Sequence, residues 1–328
     1  MARQRLVAVS YPVDDEFIRI NTEVLGGEAS LVFLAALAED ERPAAVAEAE
    51  ALIGWNLRRE LPALRWQQAA RLRFVQLLSA GADQLDFAAI PGQLILASNV
   101  GAYSEPIAEH VMALALALAR RLRQRHAGLA RGEFNQWQPL ITLNGAVCAI
   151  LGYGGIGAAT AALMRVFGAR IHAVNSSGTT SDPVEFAGTL ADLDQVLAAA
   201  DVLVVALPLN SGTRGLIGAR ELALMKPAAI VVNVSRAAIV DEWALFEHLR
   251  DHPEFCAGLD TWWHEPGLDG GFRMDYPFLD LPNVIGSPHN SGIVPGVLAH
   301  AARRAAENTR RFLRGEAVTG LVRRSDYG

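Results

Sequence analysis

The feature that most constrains the fold is a glycine-rich turn, Gly152-Tyr-Gly154-Gly-Ile-Gly157, which stands between an apolar run and an alanine-rich stretch. The run Ala146–Leu151 predicts a buried parallel strand, and the stretch after the turn predicts a helix. In this setting the first glycine permits a tight turn, the second lets the backbone approach a pyrophosphate, and the third lets helix and strand pack closely. The motif predicts a dinucleotide site at a helix N-terminus. Its expected contacts are Gly152, Gly154, Gly155, Ile156 and Gly157.

Short apolar runs alternate with helical patterns along the whole chain, which is typical of parallel α/β sheets. A length of 328 residues exceeds one comfortable core, so we expect two doubly wound domains. The predicted strands of the first part are Leu6–Val9, Leu31–Leu34, Ala51–Trp55, Phe74–Leu78 and Leu94–Ala97. Those of the second part are Ala146–Leu151, Arg170–Val174, Val202–Ala206, Ile230–Val234, Cys256–Leu259 and Val284–Ile285.

The charge and the apolar content of the sequence limit the kinds of partner that the protein can bind. The net charge of −6 argues against nucleic acid or an anionic membrane surface, because both require a basic face. The longest apolar run, Val111–Ala119, is far shorter than the roughly 20 residues that a spanning helix needs. The N-terminal residues predict a first strand and not a signal peptide. The two cysteines, Cys148 and Cys256, lie in apolar runs and predict buried thiols, so we expect a cytoplasmic protein.

One long apolar helix is predicted from Ser104 to about His126, with a cluster of arginines at its end. Its apolar body needs more cover than one small domain offers. We therefore expect a homodimer that forms through the 104–126 region. A final helix is predicted from Pro295 to Leu313.

The loop after the strand Arg170–Val174 bears on the choice of cofactor. An NAD site places an Asp or Glu about 20 residues after the glycine motif, where it accepts hydrogen bonds from the ribose. Here the strand is followed by Asn175, Ser176 and Ser177, which can all donate hydrogen bonds to a 2′-phosphate. No Arg or Lys follows, so a neutral loop that accepts either cofactor stays open. The pattern favours NADP, with NAD as the alternative.

Three separated residues stand in settings that suit the reduction of a 2-keto acid. Arg236 follows an apolar strand, and a guanidinium can bind a carboxylate and a carbonyl oxygen at once. His289 can exchange a proton near neutral pH, and Glu265 can hold its other ring nitrogen and favour the protonated ring. The other seven histidines have no such setting and are expected on the surface or on helices. His264 adjoins Glu265, but neighbours in sequence point in different directions.

These settings, Asn-Val-Ser-Arg236, Trp-Trp-His-Glu265-Pro and Ser-Pro-His289, together with the glycine turn, resemble the D-isomer-specific 2-hydroxyacid dehydrogenase family. The resemblance runs from about residue 70 to the C-terminus and is strongest to glyoxylate and hydroxypyruvate reductases. It implies a Rossmann cofactor domain, residues 100–290, inserted into a flavodoxin-like substrate domain made of residues 1–99 and 291–328. It also implies that His289 is the acid–base, Glu265 its orienting partner and Arg236 the carboxylate ligand.

Further site residues follow from the resemblance. The loop of Ser79, Ala80 and Gly81 would receive the substrate carboxylate through its backbone amides, beside Arg236 and His289. Asp260 would contact the nicotinamide carboxamide, although an Asp after a strand is also common in ordinary turns. The remaining expected cofactor contacts are Leu207, Pro208, Thr213, Val234 and Ser235.

The sequence also departs from the family pattern. Ala237 stands where the family has glycine, and Trp262 and Trp263 replace smaller residues, so that they either pack the domain or narrow the substrate pocket. The role of the insertion from Gly267 to Asp280 is open.

Several related activities occur on the fold that the resemblance implies. Formate dehydrogenases of this fold pair the histidine with glutamine, whereas this chain has Glu265. A phosphite dehydrogenase and a dinucleotide-sensing binding protein would keep the same three residues and stay open as alternatives. No ligand motif supports a metal, so none is expected.

Overall fold

The structure is a computed structural model that describes residues 5–266 and 270–327. The chain forms two compact units: one extends to Tyr103 and resumes at Val294, and the other is Ser104–Ile293. The breaks lie within a few residues of the predicted domain boundaries, and the roles assigned to the two domains stay a prediction. Residues 267–269 of the predicted insertion lie outside the described residues.

The first unit is built on a five-stranded parallel sheet with the order β2-β1-β3-β4-β5, the flavodoxin-like arrangement. Its central strands are buried on both faces, which explains why the sequence shows continuous apolar runs there. Helices α1 and α10 pack against each other. The elements are β1 Leu6–Val9, α1 Asp15–Leu25, β2 Ser30–Phe33, α2 Arg42–Glu48, β3 Ala51–Gly54, α3 Leu57–Glu60, β4 Phe74–Leu77, β5 Ile95–Ala97 and α10 Val297–Arg314, with 3₁₀ turns at Leu34–Ala36, Trp66–Gln68 and Arg324–Asp326.

The second unit contains a seven-stranded parallel sheet with the order β12-β11-β10-β9-β6-β7-β8. Counted from β6, this is the doubly wound order of dinucleotide-binding domains, with its switch point between β6 and β9. The elements are α4 Ser104–Ala119, α5 Leu122–Ala130, β6 Val147–Leu151, α6 Gly155–Val166, β7 Arg170–Val174, β8 Phe186–Gly188, α7 Leu193–Ala199, β9 Val202–Val205, α8 Ala219–Leu224, β10 Ile230–Asn233, α9 Glu242–Asp251, β11 Cys256–Leu259 and β12 Val284–Gly286, with 3₁₀ turns at Leu190–Asp192, Ala237–Ile239 and Phe278–Asp280.

The predicted fold class is confirmed, since both units are parallel α/β sheets. Every predicted strand is present, with ends that differ by at most one residue. The edge strand β8 was not predicted, because its three residues are too few to show an apolar run.

The prediction of one continuous helix from Ser104 to about His126 was wrong. The helix ends at Ala119, and Arg121 adopts a left-handed backbone with φ 49° before α5 begins. This turn lets Arg123 donate hydrogen bonds to the carbonyl groups of Leu279, Leu281 and Val284. The apolar side of α4 packs on α6, β10 and β11 of the same unit, so its cover comes from within the chain.

Within residues 5–266 and 270–327, no helix is long and apolar enough to cross a membrane.

Candidate active site

The glycine turn joins β6 to α6 and has the shape that a pyrophosphate site needs. Gly152 has φ 96°, and a Cβ there would lie 2.5 Å from the backbone of Ala206. A Cβ on Gly157 would lie 2.4 Å from the carbonyl oxygen of Gly152, so both positions require glycine. At Gly154 a Cβ would meet no heavy atom within 4 Å, which leaves the N-terminus of α6 open to a ligand. The residues present therefore fit a dinucleotide phosphate.

The loop after β9 lies against this turn. A Cβ added at Gly152 would lie 2.7 Å from the backbone nitrogen of Leu207. The structure therefore brings these two predicted cofactor residues together. Thr213 is buried, and its hydroxyl donates to the carbonyl of Pro208 at 2.7 Å and accepts from the backbone N–H of Asn210 at 2.9 Å. Thr213 thus closes the loop.

The segment that follows β7, residues 175–179, is here named the asparagine loop. The Asn175 side-chain oxygen accepts hydrogen bonds from the Ser177 backbone and hydroxyl at 3.0 Å and from the Gly178 backbone at 2.8 Å. Its amide nitrogen donates to the carbonyl of Thr179 at 2.8 Å. Most of the hydrogen-bonding capacity of Asn175 therefore shapes the loop, while Ser176 is exposed beside it.

The end of β10 positions Arg236. Asn233, the last residue of the strand, accepts from the backbone and hydroxyl of Ser235 and donates to the carbonyl of Arg236 at 3.0 Å. The guanidinium of Arg236 donates to the carbonyl of Ser235 at 2.8 Å. Val234 and Ser235 are buried at this turn, and Ala237 is buried directly after it, so the alanine found in place of the family's glycine is accommodated.

His289 and Glu265 form a direct pair. The Nδ1 atom of His289 lies 2.7 Å from Oε2 of Glu265, and the other carboxylate oxygen accepts from the backbone N–H of Trp262 at 2.9 Å. Burial opposes the ionisation of Glu265. The hydrogen bond and charge of His289, the Trp262 N–H and the charge of Arg236 outweigh it and lower the pKa of Glu265. The pair therefore holds an ionised carboxylate against the imidazole.

His289 lies in a segment, residues 287–291, here named the histidine loop. Its backbone is left-handed at His289, with φ 52°, a conformation that non-glycine residues adopt only when their surroundings hold them in it. The side chain is partly exposed. Because Nδ1 faces Glu265, Nε2 is the ring atom that can pass a proton to a substrate.

Asp260 holds the histidine loop in place through hydrogen bonds. It is fully buried, and its carboxylate accepts from the Ser287 hydroxyl at 2.6 Å and from the backbone N–H groups of Asn290 and Ser291 at 3.1 Å. Burial opposes ionisation, but these hydrogen bonds and the charge of His110 lower the pKa of Asp260. The part of Asp260 in nicotinamide binding stays a prediction.

His110 was missed by the sequence reasoning, which placed it among ordinary helix residues. Its Nε2 atom lies 2.8 Å from the Ser287 hydroxyl, which ties α4 to the histidine loop. The two residues are 177 positions apart, so no local pattern reveals the contact. The signal available was the position of the segment Ala108-Glu109-His110 near the start of the predicted helix.

The loop predicted to receive a carboxylate follows β4 in the first unit. The Ser79 hydroxyl donates to the carbonyl of Gly81 at 2.8 Å, and the Ser79 carbonyl accepts from the Asn99 backbone at 2.8 Å. In the part of the chain that the structure describes, no protein acceptor is assigned to the backbone N–H groups of Ala80 and Gly81. These two amides are suited to bind an anion.

The sequence and fold of this chain are similar to those of known proteins. A family model described as "D-isomer specific 2-hydroxyacid dehydrogenase, NAD binding domain" matches residues 112–291. The glyoxylate reductase of Aeropyrum pernix is 34% identical over 266 residues, which are 78% of this chain and 78% of that protein. The chain belongs to the D-isomer specific 2-hydroxyacid dehydrogenase family.

Other relatives agree with this membership. Glyoxylate/hydroxypyruvate reductase B of Pectobacterium carotovorum subsp. carotovorum is 34% identical over 291 residues, 85% of this chain and 87% of that protein. A solved structure of a D-isomer specific 2-hydroxyacid dehydrogenase family protein from Aeromonas salmonicida has a TM-score of 0.80 at 26% identity, covering 98% of this chain and 100% of that one. The predicted resemblance is confirmed, and the protein is an NAD(P)-dependent oxidoreductase that acts on CH–OH groups.

In this 2-hydroxyacid dehydrogenase Trp262 and Trp263, which the resemblance led us to regard as departures from the family pattern, both pack in the second unit. Trp262 is buried, and its ring lies against Gly286. Trp263 stacks on Phe278 with ring centroids 5.3 Å apart and donates its indole N–H to the carbonyl of Val240. Packing of the domain is therefore observed for both, and a role in narrowing the pocket stays untested.

In the dehydrogenase three possible metal ligands lie within 4.8 Å of one another: Glu242 of α9, His264 and, from the predicted insertion, Asp275. The guanidinium of Arg273 lies 3.2 Å from His264 and 3.4 Å from Asp275 and already supplies a positive charge to the cluster. Burial and the charge of Asp275 raise the pKa of Glu242. The expectation that no metal is needed stays a prediction.

Proposed function

We propose that this enzyme reduces a small 2-keto acid, of the glyoxylate or hydroxypyruvate kind, to the D-2-hydroxy acid with NADPH. The observation that carries the proposal is the contact of 2.7 Å between His289 and Glu265, with an ionised carboxylate on Nδ1 and Nε2 left for the substrate. The names of the relatives from Aeropyrum and Pectobacterium support the substrate class.

Each of the proposed catalytic residues has a separate role in the reduction. When bound, the reduced nicotinamide supplies a hydride to the carbonyl carbon. Arg236 binds the substrate carboxylate and polarises the carbonyl oxygen. Nε2 of the protonated His289 delivers a proton to that oxygen as it becomes a hydroxyl, and Glu265 stabilises the charged ring until the proton leaves. In the direction of oxidation His289 takes the proton back.

The substrate carboxylate has a second candidate binding site in the amides of Ala80 and Gly81, beside Ser79. Their N–H groups have no assigned protein acceptor among the described residues, and the Ser79 hydroxyl bonded to Gly81 gives the loop a defined shape. We accordingly assign substrate binding to residues 1–99 and 291–328, and cofactor binding to residues 100–290.

The cofactor contacts are proposed to extend from the glycine turn to Leu207, Pro208, Thr213, Val234, Ser235 and Asp260. NADPH is preferred because no carboxylate stands in the asparagine loop to repel a 2′-phosphate. Asn175 and Ser177 are bonded to each other within the loop, so the exposed Ser176 is the first donor to this phosphate in the proposal, and Ser177 must exchange its bond to Asn175 to join it.

A homodimer is proposed, with the contact placed beyond α4. Because α4 is covered within its own unit, the exposed apolar side chains lie on α5 and the segment after it. Phe134 and Trp137 are 80% and 84% exposed, and Leu122 and Leu129 are more than half exposed. Sedimentation should give a dimer that Trp137→Ser together with Phe134→Ser weakens. If the wild-type protein sediments as a monomer, the proposed homodimer is wrong.

A cytoplasmic location is proposed from the two cysteines, which are unpaired and buried. Burial raises the pKa of Cys148 to about 12, which disfavours the thiolate that reacts with oxidants.

The experiment that tests the function is a plate of glyoxylate, hydroxypyruvate, pyruvate and a branched 2-keto acid, each with NADPH and with NADH. We expect turnover with the two small acids and faster reaction with NADPH. The variant His289→Gln should bind NADPH normally and lose about 10²–10⁴-fold in kcat. Turnover by this variant at the wild-type rate would exclude His289 as the acid–base, and tighter binding of NADH would reverse the cofactor assignment.

A further inference from the structure

Trp262 is bonded both to Glu265 and to the histidine loop, which carries His289. It follows Asp260 and Thr261 at the carboxyl end of β11 and is buried. Its six-membered ring lies so close to Gly286 that a Cβ there would come within 2.6 Å of Cζ2. Phe272 and Phe278 meet the indole edge-on, with centroids 5.6 and 6.5 Å away. The side chain is therefore confined to one orientation by its neighbours.

In this orientation Trp262 makes two hydrogen bonds with different functions. Its backbone N–H donates to Oε1 of Glu265 at 2.9 Å, and its indole N–H donates to the carbonyl of Ser287 at 2.8 Å. Glu265 holds the His289 ring, and Ser287 stands two residues before it in the histidine loop. One residue thus fixes both the carboxylate and the loop that carries the imidazole.

The other contacts of the histidine loop do not duplicate this arrangement. Asp260 binds the Ser287 hydroxyl and the backbone of Asn290 and Ser291, and His110 binds the same hydroxyl. Neither residue is bonded to Glu265 in the described part of the chain. Trp262 is the residue that links the two members of the pair, and the loop it holds contains the left-handed backbone of His289.

We propose that Trp262 is a positioning residue, whose indole N–H bond to Ser287 keeps His289 aligned with Glu265 for proton delivery. The inference rests on the proposed acid–base role of His289. Its physical ground is that catalytic groups must be held to within a fraction of an ångström, and that a displacement of about 1 Å can lower a rate about 100-fold. Without the indole donor, the Ser287 carbonyl loses this bond, and the contacts that the loop keeps with Asp260 and His110 do not involve Glu265.

The chain offers a matched control. Trp262 and Trp263 are adjacent, both contact Phe278, and each donates an indole N–H to a backbone carbonyl. The acceptor of Trp263 is Val240, which is outside the histidine loop. Trp262→Phe and Trp263→Phe therefore remove the same chemical group at two positions, and only the first touches the proposed alignment.

The experiment compares the two variants by kcat, KM and the pH profile of keto-acid reduction, with NADPH as cofactor. For Trp262→Phe we expect kcat to fall about 10- to 100-fold, with a displaced pH profile and the KM for NADPH almost unchanged. Trp263→Phe should keep the wild-type pH profile. Loss of packing alone would lower the thermal midpoint of either variant without displacing the profile.

A second replacement covers the case in which Trp262→Phe does not fold. Substituting benzothiophene for the indole of Trp262 keeps two fused rings and removes the N–H donor, and it should reproduce the displaced profile. If Trp262→Phe or the benzothiophene protein behaves like Trp263→Phe while His289→Gln is inactive, the inference is wrong and the proposed function stands. If His289→Gln turns over normally, the acid–base role fails, and the inference fails with it.

Discussion

Two loops of the second unit follow strands of the same parallel sheet, yet they are held in opposite ways. The histidine loop, after β12, is fixed by side chains from elsewhere in the sequence: His110, Asp260 and Trp262. The asparagine loop, after β7, is held mainly by hydrogen bonds among its own residues, centred on Asn175. The histidine loop carries the proposed acid–base residue, and proton transfer needs a fixed geometry. The asparagine loop determines the proposed preference for NADPH.

The difference has a consequence for substitutions. A change in the histidine loop disturbs buried partners that cannot be replaced by water, so it should cost both stability and turnover. The asparagine loop is largely exposed, and water can replace the hydrogen bonds lost there. We expect the second loop to tolerate substitutions that retune binding.

After that of His289→Gln, the largest effect should come from Glu265→Gln. The amide keeps an oxygen that can accept from the Trp262 N–H but removes the negative charge opposite His289. We expect kcat to fall about 10- to 100-fold, because the protonated ring loses its stabilising partner, while the Kd for NADPH stays the same. Steady-state kinetics and a fluorescence titration measure the two quantities. Full activity of this variant would show that the carboxylate only orients the ring.

Asp260→Asn should lower both turnover and stability, and the effect on stability can be predicted in more detail. Its amide must turn one donor towards a backbone N–H that now donates to the carboxylate, so we expect the free energy of unfolding to fall by about 2–3 kcal/mol. The folded-state pKa of Asp260 is lowered, so its stabilisation is present above the unfolded pKa of about 4 and is lost as pH falls through the folded value.

Urea unfolding at neutral and acidic pH tests the sign of this effect. The gap between wild type and Asp260→Asn should be widest at neutral pH and should narrow as the pH falls through the lowered pKa of Asp260. Asp40→Asn, at an exposed aspartate, serves as the control and should show no such gap. A gap that widens in acid would contradict the charge on Asp260.

Much of the fold and of the candidate site could be predicted from the sequence. The features that could not be predicted share one cause. The strands were predictable because those buried on both faces are continuous apolar runs, and the glycine turn and the pairing of Glu265 with His289 follow from motifs. The fixing of the histidine loop could not be predicted, since His110 and Trp262 act across 177 and 25 residues through side-chain bonds.

The break between α4 and α5 was hidden for a related reason. Arg120 and Arg121 look like the basic end of a helix, which is a common local pattern. The left-handed turn at Arg121 depends on tertiary contacts instead, among them those of Arg123 with three carbonyl groups around β12. Local propensity alone predicts a continuous helix there.

Asn175→Asp should retune the asparagine loop without unfolding it. A carboxylate can accept the hydrogen bonds from Ser177 and Gly178, and the bond to Thr179 is lost at an exposed position. The new charge repels a 2′-phosphate and can accept from ribose hydroxyls, so the KM for NADPH should rise about tenfold while that for NADH does not. Asn144→Asp gives the same change of charge at another exposed position and should leave the ratio of the two KM values unchanged. An unchanged ratio in Asn175→Asp would mean that this loop does not face the 2′ position.

The smallest effects allow the most direct test, because each loop contains a serine whose hydroxyl donates to an oxygen of an Asp or Asn. Ser287→Ala removes the 2.6 Å hydrogen bond to the buried Asp260 and should lower the free energy of unfolding by about 1–2 kcal/mol. Ser177→Ala removes a bond of 3.0 Å to Asn175 at an exposed position and should cost less than about 0.5 kcal/mol. Paired urea titrations measure both. Equal costs would mean that the two loops are held alike, and the proposed division between a fixed catalytic loop and a tunable cofactor loop would fail.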